Sequence, residues 1–568
     1  MSINKSIGIN MLIGVILYNI ILILLLLPPI ILLCIGVVMS DEEIYRSIID
    51  KIISRDFAND KDLTKVKLWA CRKYGLKQFP RNSDILKIAT DEEKKVLRQF
   101  LKLKPVRSIS GVYVITVMPK PYPCPKDEPC IYCFGGPDVG TPQSYTGCEP
   151  AGRRAREHDF DPYEQVKSRI EQLETIGHNV DKVELIIFGG TLTYYPQDYF
   201  EWFVTRCLNA VSGVNTTTIE KAQSTAENAS IKISDITLET RPDYCKKSHV
   251  DTMLDLGVTR IELGVQTAYD DVYHIINRGH SVDDVVEATQ IAKDSGFAVI
   301  YHMMLGLPGS SIKRDLNAFQ TIFHDDRFKP DAIKIYPTLI MPDTKLHQMW
   351  KHDLYKPYSL DETVDLVANV KKDVPRWVRI QRIQRDVPAN LISGGVTRGD
   401  LRLLVQDKMR REQKVCQCIR CREVGHVQYK SGYEPDPNDV QIMIDRYAAS
   451  GGEEVFLSFE DIKKKVLIGL IRLRWPSQNA HRKETKNLRS TLVRELHVYG
   501  PLVQVGMKAK GSEWQHRGWG ERLMQSAERF SKEEFDAKKI IVLAGIGTRS
   551  YYQRFGLKRE GPYMVKEI

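Results

Sequence analysis

The sequence lacks internal repeats, and apart from one apolar run near its start it lacks low-complexity tracts. Its 568 residues, at roughly 150 per domain, therefore divide into two to four distinct domains with ample core. Compositional extremes are missing too. With 42% hydrophobic and 27% charged residues, the chain is neither disordered nor a polytopic membrane protein. An acidic excess is absent: Lys and Arg exceed Asp and Glu by 82 − 72 = 10, a mild bias compatible with a polyanionic partner such as nucleic acid. Cysteine is scarce, at eleven residues, and six of these fall in two tight groups, Cys124/Cys130/Cys133 and Cys416/Cys418/Cys421. That distribution argues against a secreted disulfide framework and for metal binding in a reducing, intracellular compartment.

Charge is missing altogether between Lys5 and Asp41, and residues 11–38 are almost wholly apolar. About twenty such residues span a bilayer, so one transmembrane helix over 11–38, kinked at Pro28-Pro29, is one expectation. No A-x-A-like site closes the run, which argues against a cleaved signal peptide. Lys5 before the run and Asp41-Glu42-Glu43 after it would, by the positive-inside rule, export everything downstream. Metal–thiolate chemistry does not suit that compartment. The other reading makes Met39 the true start of the working protein. Under both readings the catalytic body is expected in the cytoplasm, anchored to a membrane only under the first.

Residues 41–107 read as helical and basic, with Lys61, Lys65, Lys67, Arg72, Lys73, Lys77 and Arg81 interleaved with Trp69, Tyr74 and Phe79. Such a segment is either a solvated amphipathic face or a phosphate-contacting surface with stacking aromatics. From about 111 to 340 the runs GVYVITVM, VELIIFGG, SDITLET, RIELGVQ, AVIYHMMLGLPG and AIKIYP alternate with helical stretches. This alternation predicts a parallel sheet, open or closed into a partial barrel. Gly189, Gly190, Glu239, Arg241, Glu262, Gln266 and His302 cluster at the C-terminal ends of those runs, where parallel α/β proteins place their sites. Residues 371–438 are strongly basic and carry the second cysteine group. From 439 to 568 the order becomes β and then α again, which marks a separate domain.

Cys124, Cys130 and Cys133 stand on one loop directly after a predicted strand. Three thiolates can hold three irons of a [4Fe–4S] cluster and leave the fourth open. An open iron can bind S-adenosylmethionine, whose reductive cleavage yields a 5′-deoxyadenosyl radical. Tyr132 is placed to pack near the adenine. The alternative, a structural zinc loop, needs a fourth ligand, and none follows closely in sequence. Here the chain resembles the radical S-adenosylmethionine superfamily, although the commonest pattern has three residues between the first two cysteines and this one has five. More specifically, CPKDEPCIYCFGGPD followed by TPQSYTGCEPAGRRA resembles the catalytic subunit of Elongator and its single-chain archaeal relatives. The likeness continues through IEQLETIGHNVDKVELIIFGGT, ETRPDYC, RIELGVQT, HMMLGLPG and IKIYPTLI, and with the last domain covers residues 39–568.

In CQCIRCREVGH, Cys416, Cys418 and Cys421, with His426 as a candidate fourth ligand, suit a closed tetrahedral zinc site. The resemblance implies that this segment helps to position tRNA. In the last domain a strand, ELHVYGPLVQV, leads into the Gly-bearing helix start HRGWGERLMQSAE, where free backbone N–H groups can meet a pyrophosphate. Together with RSYYQRFGL it resembles the Gcn5-related N-acetyltransferase fold. That resemblance implies acetyl-CoA contacts at Glu495, Leu496, His497, Val498, Trp519, Gly520, Glu521 and Tyr552. Tyr552 would protonate a leaving thiolate or hydrogen-bond CoA. Lys182 aligns with a lysine that the family associates with acetyl-CoA, so Tyr552 and Lys182 are the expected catalytic pair.

The expected fold is α/β. A basic helical region (41–107) precedes a partial (β/α) barrel radical-SAM core (108–370), a zinc-binding linker (371–438) and an acetyltransferase domain (439–568). The expected cofactors are a [4Fe–4S] cluster, S-adenosylmethionine, zinc and, as co-substrate, acetyl-CoA. A radical domain fused to an acetyl-CoA domain makes the acetyl methyl group the reacting carbon. The resemblance then implies addition of that carbon to position 5 of the wobble uridine and hydrolysis of the thioester to 5-carboxymethyluridine. Expected partners are the tRNA anticodon stem-loop, whose unstacked bases can be splayed into a pocket, and an electron donor; a homodimer is compatible with the sequence. Two alternatives stay open: a protein lysine acetyltransferase with a structural cluster, and a non-enzymatic tRNA-binding scaffold. The basic segments predict that affinity for tRNA falls between low and moderate salt. A binding assay showing no salt dependence would remove them from the RNA surface.

Overall fold

The computed structural model describes residues 40–54, 60–76, 79–101, 111–176, 178–486, 489–500, 514–515 and 517–568, and Ser40 opens the first helix among them. The expected membrane helix at 11–38 lies outside the described residues, and among those described no helix is long and apolar enough to cross a membrane. Two units are formed, one N-terminal and helical, the other carrying all the strands.

In the N-terminal unit, Asp41–Ile53 begins at a capping box: Glu43 N donates to Ser40 Oγ (3.3 Å) and Ser40 N to the Glu43 carboxylate (2.8 Å). Ile44, Ile48, Ile49 and Ile52 form its buried stripe. Helices Asp60–Tyr74, Asn82–Ile88 and Asp91–Leu101 complete the unit, tied by an Arg46–Glu93 fork at 2.8 and 2.9 Å. Two of the expected phosphate-contacting lysines are otherwise engaged. Lys67 is buried and donates to Pro80 O (2.8 Å) and to Asn82, and burial lowers its pKa to about 8. Lys73, with Lys51, covers the Trp69 ring at 5.0 and 4.0 Å. Phe79 stays 49% exposed.

In the second unit a seven-stranded sheet is made of β1 (Tyr113–Val117), β2 (Lys182–Ile187), β3 (Lys232–Thr240), β4 (Arg260–Gln266), β5 (Ala298–Leu305), β6 (Ala332–Pro337) and β7 (Arg379–Ile383). All neighbours are parallel and in chain order, the half-barrel that strand–helix alternation produces. Along β2, Val183, Leu185 and Ile187 are buried while Lys182, Glu184 and Ile186 are half-buried, so one face is apolar and the other carries charge. The sheet continues past residue 370, because Arg379–Ile383 of the expected linker pairs with β6.

The second sheet is mixed. It contains β8 (Val440–Ala449), β9 (Gly452–Asp461), β10 (Val466–Trp475), β11 (Ser490–Val498), β12 (Lys539–Val542), β13 (Lys558–Glu560) and β14 (Tyr563–Glu567), in the spatial order β13-β14-β12-β11-β10-β9-β8. Only β11 and β12 are parallel, and helix Trp519–Phe535 lies between them in sequence, as a parallel connection requires. The β10–β11 register shifts between Arg472, paired with Glu495, and Leu473, paired with Val493, which leaves Arg494 as the bulged residue.

Buried ion pairs join the two sheets. Arg494 forks Asp331 at 2.7 and 2.7 Å and reaches Glu454 at 2.6 Å. Arg474 binds Asp294 (2.6 Å) and Glu454 (3.0 Å), and Arg472 Nε donates to Glu495 (2.7 Å). Burial alone would raise the Asp331 carboxyl, but Arg494, Lys293 and Arg472 hold it far below the ordinary range. Removing one partner strands the others as buried charges, so Asp331→Ala should cost about 3–5 kcal/mol of unfolding free energy. The Asp331 contribution is present above about pH 4, the unfolded carboxylate value, and is lost as pH falls below it. Denaturant titrations at pH 7 and at acid pH check both. A wild-type unfolding midpoint in Asp331→Ala would show the network to be dispensable.

Candidate active site

The loop after β1 carries Cys124, Cys130 and Cys133, and Cys133 N donates to Cys130 O (2.8 Å). Other side chains aim donors at these thiols. Gln143 Nε2 lies 3.2 Å and Ser144 Oγ 2.9 Å from Cys133 Sγ, and Arg278 Nη1 lies 3.8 Å from Cys130 Sγ. Among the described residues only Cys416, Cys418 and Cys421 bring three ligand atoms within 4.8 Å of one another. The wider set at 124–133 fits a multi-iron cluster, in which each thiolate binds a different iron. Tyr132 packs with Tyr273, Ile276 and Met304, and its buried hydroxyl lies beside Cys130.

The C-terminal ends of the strands converge beside this loop. Register sets Glu239 beside Glu262, and His302 beside Lys334. His302 Nε2 is 2.7 Å from Glu262 and its Nδ1 is 3.7 Å from Glu239, while Lys334 donates to Glu262. Burial alone would raise Glu262; Lys334 and His302 outweigh it and hold the carboxyl at about 2. Tyr145 Oη donates to Glu239 (2.7 Å), and burial with that neighbour keeps the phenol protonated. Arg385 bonds Ser144 O and covers the rings of Phe134 (5.0 Å) and Tyr145 (5.7 Å). Gly189 and Gly190 follow β2, and the left-handed backbone at Gly190 (φ 83°) is what favours glycine there. Arg241 forks Asp243 at 2.9 and 2.6 Å, and its buried Nη1 has no partner among the described residues. Gln266 ends β4 at φ 74°, a strained conformation for a side chain of its kind.

Residues expected at acetyl-CoA lie elsewhere. Lys182 and Arg260 open their strands, whereas Glu239 and Gln266 stand at or near the ends of theirs. Lys182 pairs with Lys232, against which Gly547 packs, and burial lowers its pKa. Glu495 is bound by Arg472 and lies 3.4 Å from Arg260; burial would raise it, and the two arginines hold it at about 2. His497 stacks 4.2 Å from Tyr499, and burial lowers it to about 4. Leu496 and Val498 pair with Ile471 and Gly469. Trp519, Gly520 and Glu521 form the first turn of their helix. Tyr552 is buried in the core of the second sheet. Its neighbour Tyr551 meets the turn instead: a Cβ on Gly520 would stand 2.5 Å from the Tyr551 hydroxyl. Between the two ends lies Glu184, which accepts from Thr237 Oγ1 (3.0 Å) and is raised by burial.

The structure thus gathers Glu239, Glu262 and His302, and separates them from Lys182, Glu495 and Tyr552. Sequence reasoning missed Lys334, Tyr145, Arg385, Glu184 and Tyr551. A charge inside an apolar run (AIKIYP, VELIIFGG) was the available signal for Lys334 and Glu184; the others carried none.

Cys416, Cys418 and Cys421 can hold a single metal ion. His426 does not join them. It turns to Glu423, one helical turn earlier, at 2.7 Å, and Arg379 with His426 holds that carboxyl at about 2 against burial. The group beside the thiols is Lys371, whose Nζ lies 3.3 Å from Cys416 Sγ and 3.6 Å from Cys421 Sγ.

Comparison with known proteins agrees with this arrangement. Family models match residues 42–109 (ELP3 N-terminal domain), 122–320 (Radical SAM superfamily) and 330–411 (Radical SAM C-terminal domain). The tRNA uridine(34) acetyltransferase of Methanocaldococcus infernus is 46% identical over 536 residues, covering 93% of this chain and all of the relative. Elongator complex protein 3 of Saccharomyces cerevisiae is 45% identical over 505 residues, covering 88% and 90%. The solved structure of archaeal Methanocaldococcus infernus Elp3 with an N-terminal deletion superposes with a TM-score of 0.72 at 44% identity, covering 81% of this chain and all of that one. Matched along nearly its whole length, with its half-barrel and thiol loop inside the matched region, the chain belongs to the Elp3/tRNA uridine(34) acetyltransferase family, with a radical-SAM domain.

Proposed function

We propose that this chain is a tRNA uridine(34) acetyltransferase that builds a carboxymethyl group at position 5 of the wobble uridine from acetyl-CoA by radical S-adenosylmethionine chemistry. One observation carries the reading. A single unit holds the thiol loop and the Glu262–His302–Lys334 group at one end of the half-barrel strands and Lys182, Arg260 and Glu495 toward the other. The relatives that bear the acetyltransferase name match the chain across both parts.

Cys124, Cys130 and Cys133 would hold a [4Fe–4S] cluster with S-adenosylmethionine on its open iron, which when bound supplies a carbon-centred radical for hydrogen abstraction. The chain's own residues prepare the surroundings. Gln143 and Ser144 hydrogen-bond Cys133, and Tyr132 packs the inner side of the loop. His302, with a carboxylate near each ring nitrogen, can hold a proton at Nδ1 or Nε2. Tyr145 stays a donor, and Arg385 offers a planar cation beside which an unstacked base can lie.

In this reading the second sheet is a Gcn5-related N-acetyltransferase domain over 439–568. The first-turn amides of Trp519–Glu521 bind the CoA pyrophosphate. Tyr551, pushed up to about 12 by burial, keeps its proton at the turn. The radical-SAM core runs from 108 through β7 (Arg379–Ile383), and the stretch from there to 438 is a linker with structural zinc on Cys416, Cys418 and Cys421. Residues 41–107 contact tRNA, an electron donor serves the cluster, and the compartment is the cytoplasm.

Anaerobic reconstitution with iron and sulfide, then reductant, S-adenosylmethionine, acetyl-CoA and tRNA, tests the chemistry. Carboxymethyluridine and 5′-deoxyadenosine are expected by mass spectrometry, and Cys130→Ala should abolish both. Loss of both from the intact chain, with protein lysine acetylation proceeding, would replace this reading by a lysine acetyltransferase. Elemental analysis should find zinc lost in Cys418→Ser and kept in His426→Ala; zinc lost in His426→Ala would return that histidine to the ligand set.

A further inference from the structure

Arg278 is buried, only 8% exposed, and takes no part in the Glu262–His302–Lys334 group. Three partners direct its guanidinium. Nη2 donates to Gly264 O (2.5 Å), Nε donates to His280 Nε2 (3.0 Å), and Nη1 lies 3.8 Å from Cys130 Sγ. The place is built for it. A Cβ on Gly264 would stand 2.5 Å from Nη2, so any side chain there would push the guanidinium off β4. Each His280 nitrogen lies 3.3 Å from a carbonyl, Nδ1 from Ser281 O and Nε2 from Gly264 O, and the closer Arg278 Nε–H makes Nε2 the acceptor. Burial and the adjacent Arg278 hold its pKa well below the ordinary value, so it stays neutral.

Among the described residues no carboxylate touches Arg278, and Asp243 acts on it only at longer range; its direct partners are a carbonyl, an imidazole and a thiol. A buried cation without an anion is strongly unfavourable. The remaining group its guanidinium reaches is the Cys130 sulfur, one of the three that would hold the cluster. Cys133 differs: its hydrogen-bond donors, Gln143 and Ser144, are neutral, and Arg385 acts on it without a hydrogen bond.

We propose that Arg278, locked by Gly264 and His280, sets the reduction potential of the iron–sulfur cluster by placing its charge on the Cys130 ligand. The inference rests on the cluster reading above. Charge and hydrogen bonds at cluster sulfurs are principal determinants of potential. A positive charge there stabilises the more negative, reduced form, so an external reductant delivers its one electron more readily. Arg278 makes and breaks no bond and keeps its proton. It acts through the ligand, as a positioning residue.

The test uses the full chain, reconstituted anaerobically, without tRNA or S-adenosylmethionine. Its cluster is titrated against mediator dyes and followed by visible absorbance and electron paramagnetic resonance, with iron counted per chain. In Arg278→Gln the equilibrium ratio of reduced to oxidised cluster at a fixed potential should fall about tenfold, which is about 59 mV for a one-electron couple. Arg278→Lys keeps the charge and should stay closer to wild type. Gly264→Ala, which displaces the guanidinium, should shift the potential in the same direction by less. A wild-type midpoint in iron-loaded Arg278→Gln overturns the proposal. If that variant binds no cluster, Gly264→Ala decides, and an unchanged midpoint at full iron loading overturns it equally. An intact wild-type chain that takes up no cluster would instead sink the functional reading itself, a distinct result.

Discussion

Burying several arginines between two sheets is tolerable only where each finds a carboxylate, and this requirement governs how the halves of the second unit meet. Arg494 and Arg474 come from β11 and β10, while Asp331 and Asp294 come from the half-barrel side, with Glu454 between the two arginines. Such pairs contribute little net stability against an apolar alternative, because desolvation consumes the Coulomb gain. Their force lies in exclusion: a shifted docking would strand full charges away from water. Lys293 shows the margin. It lies 3.6 Å from Glu454 and 3.9 Å from Asp331, and burial lowers its pKa to about 8 in spite of both carboxylates.

The same balance separates carboxylates inside the half-barrel. Glu184 and Glu262 are both removed from water, yet burial raises the first, while contact with Lys334 and His302 holds the second at about 2. At Glu184 burial outweighs the Arg260 charge and the hydrogen bond from Thr237, with Asp235 and Glu262 adding to it, whereas the adjacent Lys334 ammonium and His302 reverse the cost of burial at Glu262. One sheet therefore carries, on β2 and β4 with β3 between them, an acid that resists ionisation and one held charged. For the phenols both influences act together: burial first, then Glu239 at Tyr145 and Glu521 at Tyr551, raises them, and they keep their protons.

Much of the site was legible because its chemistry is local. Three cysteines on one loop, glycines after a strand and polar residues closing apolar runs are patterns of short range. The half-barrel followed from strand–helix alternation, and Glu239, Glu262 and His302 do meet. Legibility ended where the partner is distant in sequence. His426, five residues after Cys421, suggested a ligand, but Glu423 on its own helical turn takes it, and Lys371 reaches the thiols from 45 residues away. Lys67 looked like surface charge, yet its neighbours bury it. Tyr551 and Tyr552 are adjacent in sequence, and only packing decides that Tyr552 enters the core while Tyr551 meets Gly520.

Hydrophobic period, cysteine spacing and glycine placement by themselves determined a parallel α/β core with a thiol loop after its first strand, because these signals act over a few residues of backbone. The ordered ion pairs between the sheets, the partner of each buried charge and the division of the predicted site between strand ends were decided by tertiary structure alone. Burial makes a charge's nearest opposite charge decisive, and that neighbour is set by which strands lie side by side, often more than a hundred residues apart in the chain.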